Sequence, residues 1–222
     1  MSSINRFLAG LTVRMVERVN TMYGRIKLYH LRGQFKSIGS NAVIENPSSI
    51  MNPQCISIGD NFIARSGLKM RAYTSYEEAQ YTPELIIGNN VHFAADVTIN
   101  CVARITIGDN AGIGVNSKLM DHAHGLPGYE DLHIPIMKRE LSSKGGIIIG
   151  NNAMVAAGVV ILAGVEIGEN AIIGSNSVVT RSIPPNCIAV GAPARVVKTI
   201  KIPGENKVHG ENESKVHGKP VV

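Results

Sequence analysis

Two histidines directly behind an aspartate, Asp121-His122-Ala123-His124, form the chain's densest titratable cluster. A histidine pKa of about 6.5 lets the ring take a proton at neutral pH and return it later. An acidic neighbour or a backbone carbonyl can hold one ring nitrogen and leave the other basic. Two rival readings use the same residues. The pair can be solvated loop histidines, or ligands, because His-x-His on extended backbone puts both rings on one side and His92 can join from an earlier turn of chain. Zinc wants three or four ligands and the sequence fixes no third, so no metal is expected. A second constellation is basic: Lys138, Arg139, Lys144, Arg181, Arg195 and Lys198. Arginine offers a planar fork of donors to phosphate oxygens, so these side chains can hold a phosphorylated ligand. The alternative is ordinary solvated charge.

A six-residue period must position both groups. Ile-Gly-X-Asn, with X one of Asp, Asn, Ser or Glu, recurs beginning at Ile38, Ile58, Ile87, Ile107, Ile149 and Ile167. An aliphatic residue returns at Ile149, Val155, Ile161, Ile167, Ile173 and Val179. A small or aliphatic one follows four places later, at Ala153, Val159, Val165, Ala171, Ser177 and Ile183. Six fits neither the helical period nor simple strand alternation. It fits triangular coils of three short strands, stacked at roughly 4.8 Å with the sixth-position residue inward. The expectation is an all-β parallel β-helix.

The frame Ile107, Ile113, Leu119 is clean and is then lost until Ile147–Ile149, so residues 120–146 are expected to leave the prism as a loop that opens on the histidine pair. A shorter excursion is expected near residues 75–83. Consecutive prolines at 184 and 185 stop the pattern. The expected organisation is a basic amphipathic segment over 1–36, coils over 37–200 and a flexible tail over 201–222, where Lys-Val-His-Gly repeats without apolar periodicity.

Ile4, Phe7, Leu8, Leu11, Met15, Val16 and Val19 fall near helical spacing. The expected helix caps the apolar first coil, or rests on an anionic membrane surface, or does both. Residues 1–36 hold seven basic side chains against Glu17 alone, a net +6, which leaves −1 for the rest of a chain whose total is +5. That uneven placement argues against a nucleic-acid surface. With no Trp and 5% aromatics, the core must be the narrow aliphatic kind that a prism supplies, in one domain. Cys55, Cys101 and Cys187 are odd in number and lack metal spacing. With no secretory signal and no apolar run of about 18 residues, they suggest a reducing, cytoplasmic setting, peripheral at the inner membrane face if the helix binds there.

The hexads, the Asp-His-x-His loop, and the closing Ser-Ile-Pro-Pro-Asn at 182–186 with Gly-Ala-Pro-Ala-Arg-Val-Val at 191–197 resemble the hexapeptide-repeat acyltransferases. The likeness spans residues 38–200, is strongest from Ile87 onward, and is nearest to galactoside, maltose and polysaccharide O-acetyltransferases. It implies a left-handed β-helix with an N-terminal helical cap and a protruding loop. It implies a homotrimer with active sites between neighbouring prisms, acetyl-CoA as donor and a carbohydrate acceptor in surface polysaccharide assembly. By motif position His122 is the base, with His124 as its substitute. Ala157 and, 18 residues on, Ser175 match positions flanking CoA, and Arg181, Arg195 and Lys198 match its phosphate contacts. Where galactoside-type members carry an acceptor Asn, this chain has Ala94, and Asp96, Asn100 and Asp121 are the polar acceptor-binding alternatives. N-acetylation of a nucleotide-linked amino sugar, a small-molecule acetyltransferase, a zinc carbonic anhydrase-like β-helix and a non-catalytic scaffold are the other readings.

Overall fold

The computed structural model describes residues 12, 15, 16, 18, 19, 22, 24, 26, 29–125 and 132–200. Three parallel sheets form the faces of a left-handed β-helix. The first face stacks Ser37–Ile38, Ile56–Ile58, Glu84–Ile87, Arg104–Ile107, Ile147–Ile149 and Glu166–Ile167. The second runs from Val43–Ile44 to Cys187–Gly191 and is closed by the antiparallel strand Ala194–Thr199. The third stacks Ser49–Met51, Lys69–Ala72, Thr98–Cys101, Lys118–Met120, Val160–Leu162 and Val178–Val179.

The hexad residues point inward. Ile149, Val155, Ile161, Ile167, Ile173 and Val179 are all buried, as are the residues four places after each. Phe62 and Phe93, edge to face at 5.0 Å, fill the wider early coils. The Ile-Gly-X-Asn tetrapeptide builds the edge between the first and second faces. Its glycine lies so close to the next coil that a Cβ on Gly108 would meet Asn151 N at 2.7 Å. Its asparagine turns the corner in the left-handed region, with φ of 59° at Asn110 and 55° at Asn152, which a short polar side chain tolerates. The asparagine amides then ladder from coil to coil, Asn41 to Asn61 to Asn90 to Asn110 to Asn152 at 3.0–3.2 Å, and again from Asn170 to Asn186.

Both excursions leave the third edge, between the third and first faces. Ser75–Tyr76 pairs antiparallel with Ala79–Gln80, and Ala123–His124 with Leu141–Ser142. The coil register is unaffected: Ile107 pairs with Ile149 although 42 residues separate them.

The described residues from 12 to 32 in the N-terminal segment are helical. The helix meets the first coil through Gly24, where a Cβ would strike Asn46 N at 2.6 Å, and Leu31 and Phe35 pack on the core. The expected capping residues differ. Met15, Val16 and Val19 are exposed, because the helix lies against the coil on its Gly24 side. Ile4, Phe7, Leu8 and Leu11 lie outside the described residues, as does the 201–222 tail.

Candidate active site

The larger excursion begins where Met120 ends its strand, and the corner it vacates is closed by one side chain. Asp121 has no exposed surface. Its Oδ1 accepts the Val102 N–H and its Oδ2 the Ala103 N–H, both at 2.9 Å. The carboxylate thus satisfies backbone donors that the departing chain no longer reaches. Oδ1 also lies 3.0 Å from His122 Nδ1. Burial alone would push the Asp121 carboxyl up, but the His122 hydrogen bond and the two backbone N–H groups hold it below the usual carboxylate range. Burial, helped by the Asp121 charge, pushes the neighbouring Cys101 thiol far up. A thiol kept protonated there is no nucleophile. With Asp121 taking the Nδ1–H, the His122 lone pair lies on Nε2.

His122 keeps 10% of its side chain exposed and opens on a cleft of about 290 Å³. Met120, Leu162 and Thr180 from successive coils line one side, and Ser142 and Lys144 from the returning arm of the loop line another. Tyr73 stands edge-on to His122 at 5.4 Å, and Tyr76 to His124 at 5.1 Å. The small hairpin and the loop are tied together. The Tyr76 hydroxyl donates to the Met137 carbonyl at 2.7 Å, the Leu141 N–H donates to Tyr81 Oη at 2.9 Å, and Lys138 pairs with Glu77 at 3.1 Å. Asn100 Oδ1, His124 Nδ1 and Ser142 Oγ are buried without partners.

The residues singled out in the sequence separate onto two edges. Asn100, Asp121, His122, His124 and Arg181 belong to the third edge or the strand end beside it. Asn100 pairs in register with Met120, which lines the cleft. Asp96, Ala157 and Ser175 occupy the second edge, where their coil bonds run Asn116 to Ala95 and Asn176 to Ala157. Between the two edges lies one hexad, at most roughly 20 Å of extended chain. Arg195 and Lys198 stand exposed on the closing strand, whereas Arg139 is tied to the Ile134 carbonyl. Asp121, expected to touch acceptor, is sealed behind His122. Its two oxygens face backbone and imidazole, so it orients the ring instead. Among the described residues no three His, Cys, Asp or Glu side chains gather as a metal would require.

Tyr73, Tyr76, Tyr81, Ser142 and Thr180 escaped sequence reading. The 29-residue step between Ile58 and Ile87 marks the small hairpin, but only packing connects its tyrosines to the histidine pair.

Residues 146–181 match the family model of the bacterial transferase hexapeptide (six repeats). Over 160 residues the chain is 31% identical to WbbJ of Escherichia coli (strain K12), which carries the name of a lipopolysaccharide biosynthesis O-acetyl transferase. The match covers 70% of this chain and 78% of WbbJ. It is 32% identical over 157 residues to the galactoside O-acetyltransferase of the same organism, covering 71% and 70%. The chain belongs to the hexapeptide-repeat acyltransferases. Among solved structures it is similar to AntD, an N-acyltransferase from Bacillus cereus in complex with dTDP and 3-hydroxybutyryl-CoA. The TM-score is 0.64 at 26% identity, over 82% of this chain and 91% of that one. A hexapeptide-repeat acetyltransferase of Vibrio cholerae complexed with acetyl coenzyme A shares the fold, at 23% identity and a TM-score of 0.55, over 91% and 92%.

Proposed function

We propose that this acyltransferase moves an acetyl group from acetyl-CoA to a sugar hydroxyl during surface polysaccharide assembly, as a homotrimer on the cytoplasmic side. The observation that carries the reading is the Asp121–His122 pair at the mouth of the cleft. His122 Nε2 takes the proton from the acceptor hydroxyl as its oxygen attacks the thioester carbonyl. The same nitrogen returns that proton to the sulfur as the carbon–sulfur bond breaks. Asp121 keeps Nδ1 protonated throughout and steadies the imidazolium. General-base help of this kind is worth about 10²–10⁴-fold. Asn100 Oδ1 and Ser142 Oγ, unpartnered beside the cleft, are acceptor contacts, and Lys144 and Arg181 suit the charged part of the donor.

Two edges of one prism cannot face the same ligand from within one chain. The trimer reading accommodates Ala157, Ser175 and Asp96 if the second edge of one protomer lines the cleft on the third edge of its neighbour. The likeness to the O-acetyl transferases supports a hydroxyl acceptor, and the likeness to AntD favours a second reading, N-acylation of a nucleotide-linked amino sugar. Coenzyme A release measured with a panel of sugars and nucleotide-linked amino sugars separates the two. Sugar-dependent release that disappears in His122→Ala is the expected result. Release that survives in both His122→Ala and His124→Ala removes the assigned base.

A further inference from the structure

We infer that the N-terminal helix is an interfacial anchor that docks the enzyme on an anionic phospholipid bilayer. The inference stands apart from the acyl-transfer reading. Met15, Val19, Met22, Ile26 and Tyr29 recur at alternating steps of four and three, so they form a single stripe on an α-helix of about 3.6 residues per turn. All five are exposed, between 49% for Ile26 and 79% for Tyr29. On the same helix Gly24 falls on the opposite side from the stripe, and Gly24 is where the backbone rests on Ile44 and Asn46. The prism therefore holds the helix by its back and turns the apolar stripe outward. Single exposed apolar residues need no explanation, but a continuous stripe of five does.

Charge selects the occupant. Among the described helical residues Arg18 stands exposed on one flank of the stripe, and the sequence of residues 1–36 adds six further Lys and Arg side chains. The opposite flank carries Val16 and His30. Within residues 1–36 the sole acid is Glu17. A second copy of the helix would set Arg18 against Arg18, or against Val16 and His30, in a segment that carries seven basic side chains against one acid. A sheet of lipid phosphates beneath the stripe answers this surplus of positive charge, while the apolar side chains enter the acyl boundary and Tyr29 sits at headgroup depth. No helix among the described residues is long and apolar enough to cross a membrane.

The test is flotation of the full chain with vesicles of phosphatidylglycerol and phosphatidylethanolamine, against vesicles of phosphatidylcholine alone. Binding to the first, release by high salt, and little binding to the second are expected. Met22→Glu combined with Ile26→Glu should lower the partition coefficient about tenfold or more. Arg18→Glu should lower it about fivefold or more. Neither set touches the cleft, so acetyl transfer to a soluble acceptor and the unfolding midpoint should stay unchanged, which separates failed docking from failed folding. No flotation of the wild type, or equal flotation on both vesicles, overturns the inference. So does a lipid-free particle mass that falls when the stripe is charged, since that result assigns the stripe to a second copy.

Discussion

The first and third edges of the prism join the same stacked strands, yet they treat their polar groups in opposite ways. Along the first edge the left-handed asparagines from Asn41 to Asn152 pass a hydrogen bond from coil to coil, and Asn170 passes one to Asn186. Repetition there gives Asn61, Asn90 and Asn110 a like neighbour above and below. Along the third edge the chain departs twice, and nothing repeats. A buried carboxylate bonds two backbone donors and an imidazole, and three other buried polar atoms lack partners. Saturated hydrogen bonding contributes stability and offers a ligand nothing. An interrupted ladder leaves directed donors and acceptors inside a partly dry cleft, which is what a reaction site requires.

The sharpest break of this contrast is His122→Ala. On the proposed chemistry it should lower kcat for acetyl transfer by about 10²–10⁴-fold, and the unfolding midpoint should barely move, because no hydrogen bond of the coils depends on the ring. A wild-type rate in this variant would make the third edge as inert as the first.

Asp121→Asn asks whether the carboxylate is structural, catalytic or both. The amide keeps the shape but must turn a donor toward the N–H of Val102 or Ala103, which leaves one buried group unsatisfied and costs about 1–3 kcal/mol. The kcat loss should be smaller than that of His122→Ala, since the base remains and only its orientation and tautomer are freed. The pH dependence has a definite sign. Hydrogen bonds hold the folded-state carboxyl below the usual range, so its contribution is fully present above pH about 4. It is lost as pH falls through the lowered value. The wild type should therefore show an acid limb in its stability profile that the asparagine variant lacks. Superimposable profiles would mean that Asp121 is not charged in the fold.

This division also explains what the sequence made legible. Six-residue spacing depends only on the inward residue and the corner, so the prism, its register and the place of the larger loop could be read from Ile149, Ile167 and their kin. The place of His122 at the opening of the larger loop was legible because the hexad frame ends at Leu119, whereas its role as the base rests on the family motif and stands as part of the proposal. The partners of Asp121 were not legible, since spacing alone does not say which way a corner side chain turns. Its inward turn depends on Val102 and Ala103, two unremarkable residues one coil earlier. Tyr73, Tyr76 and Tyr81 were invisible for a related reason. Their contacts join two excursions that share no period, about 60 residues apart in the chain.

The first edge has its own test. Asn110 accepts from Asn90 and donates to Asn152 at 3.1 and 3.2 Å while holding a φ of 59°. Asn110→Ala loses both bonds and keeps a β-carbon in the left-handed region without the polar side chain that eases that conformation, for a combined cost of about 2 kcal/mol. Asn110→Gly loses the same bonds without the steric part and should recover about half of that stability. Denaturant midpoints distinguish the two, and kcat should be unaffected in both. Equal midpoints would show that the ladder, not the corner geometry, carries the edge.

The smallest effect is expected where the two excursions meet. Tyr76→Phe removes the hydroxyl that donates to the Met137 carbonyl but keeps the ring against His124. One hydrogen bond at a partly exposed position is worth about 0.5 kcal/mol, the low end of the usual range. Global stability should therefore hardly change. The bond nevertheless fixes the hairpin to the arm of the loop that returns toward Ser142 and Lys144. Loosening it should raise the KM for acceptor by about twofold, while the donor KM and the slow hydrolysis of acetyl-CoA by water stay as they were. That split is informative because a general loss of packing would move all three together. A change confined to the acceptor would mean that the third edge owes its selectivity to the hairpin and its chemistry to the loop, two departures from one repeat with separate tasks.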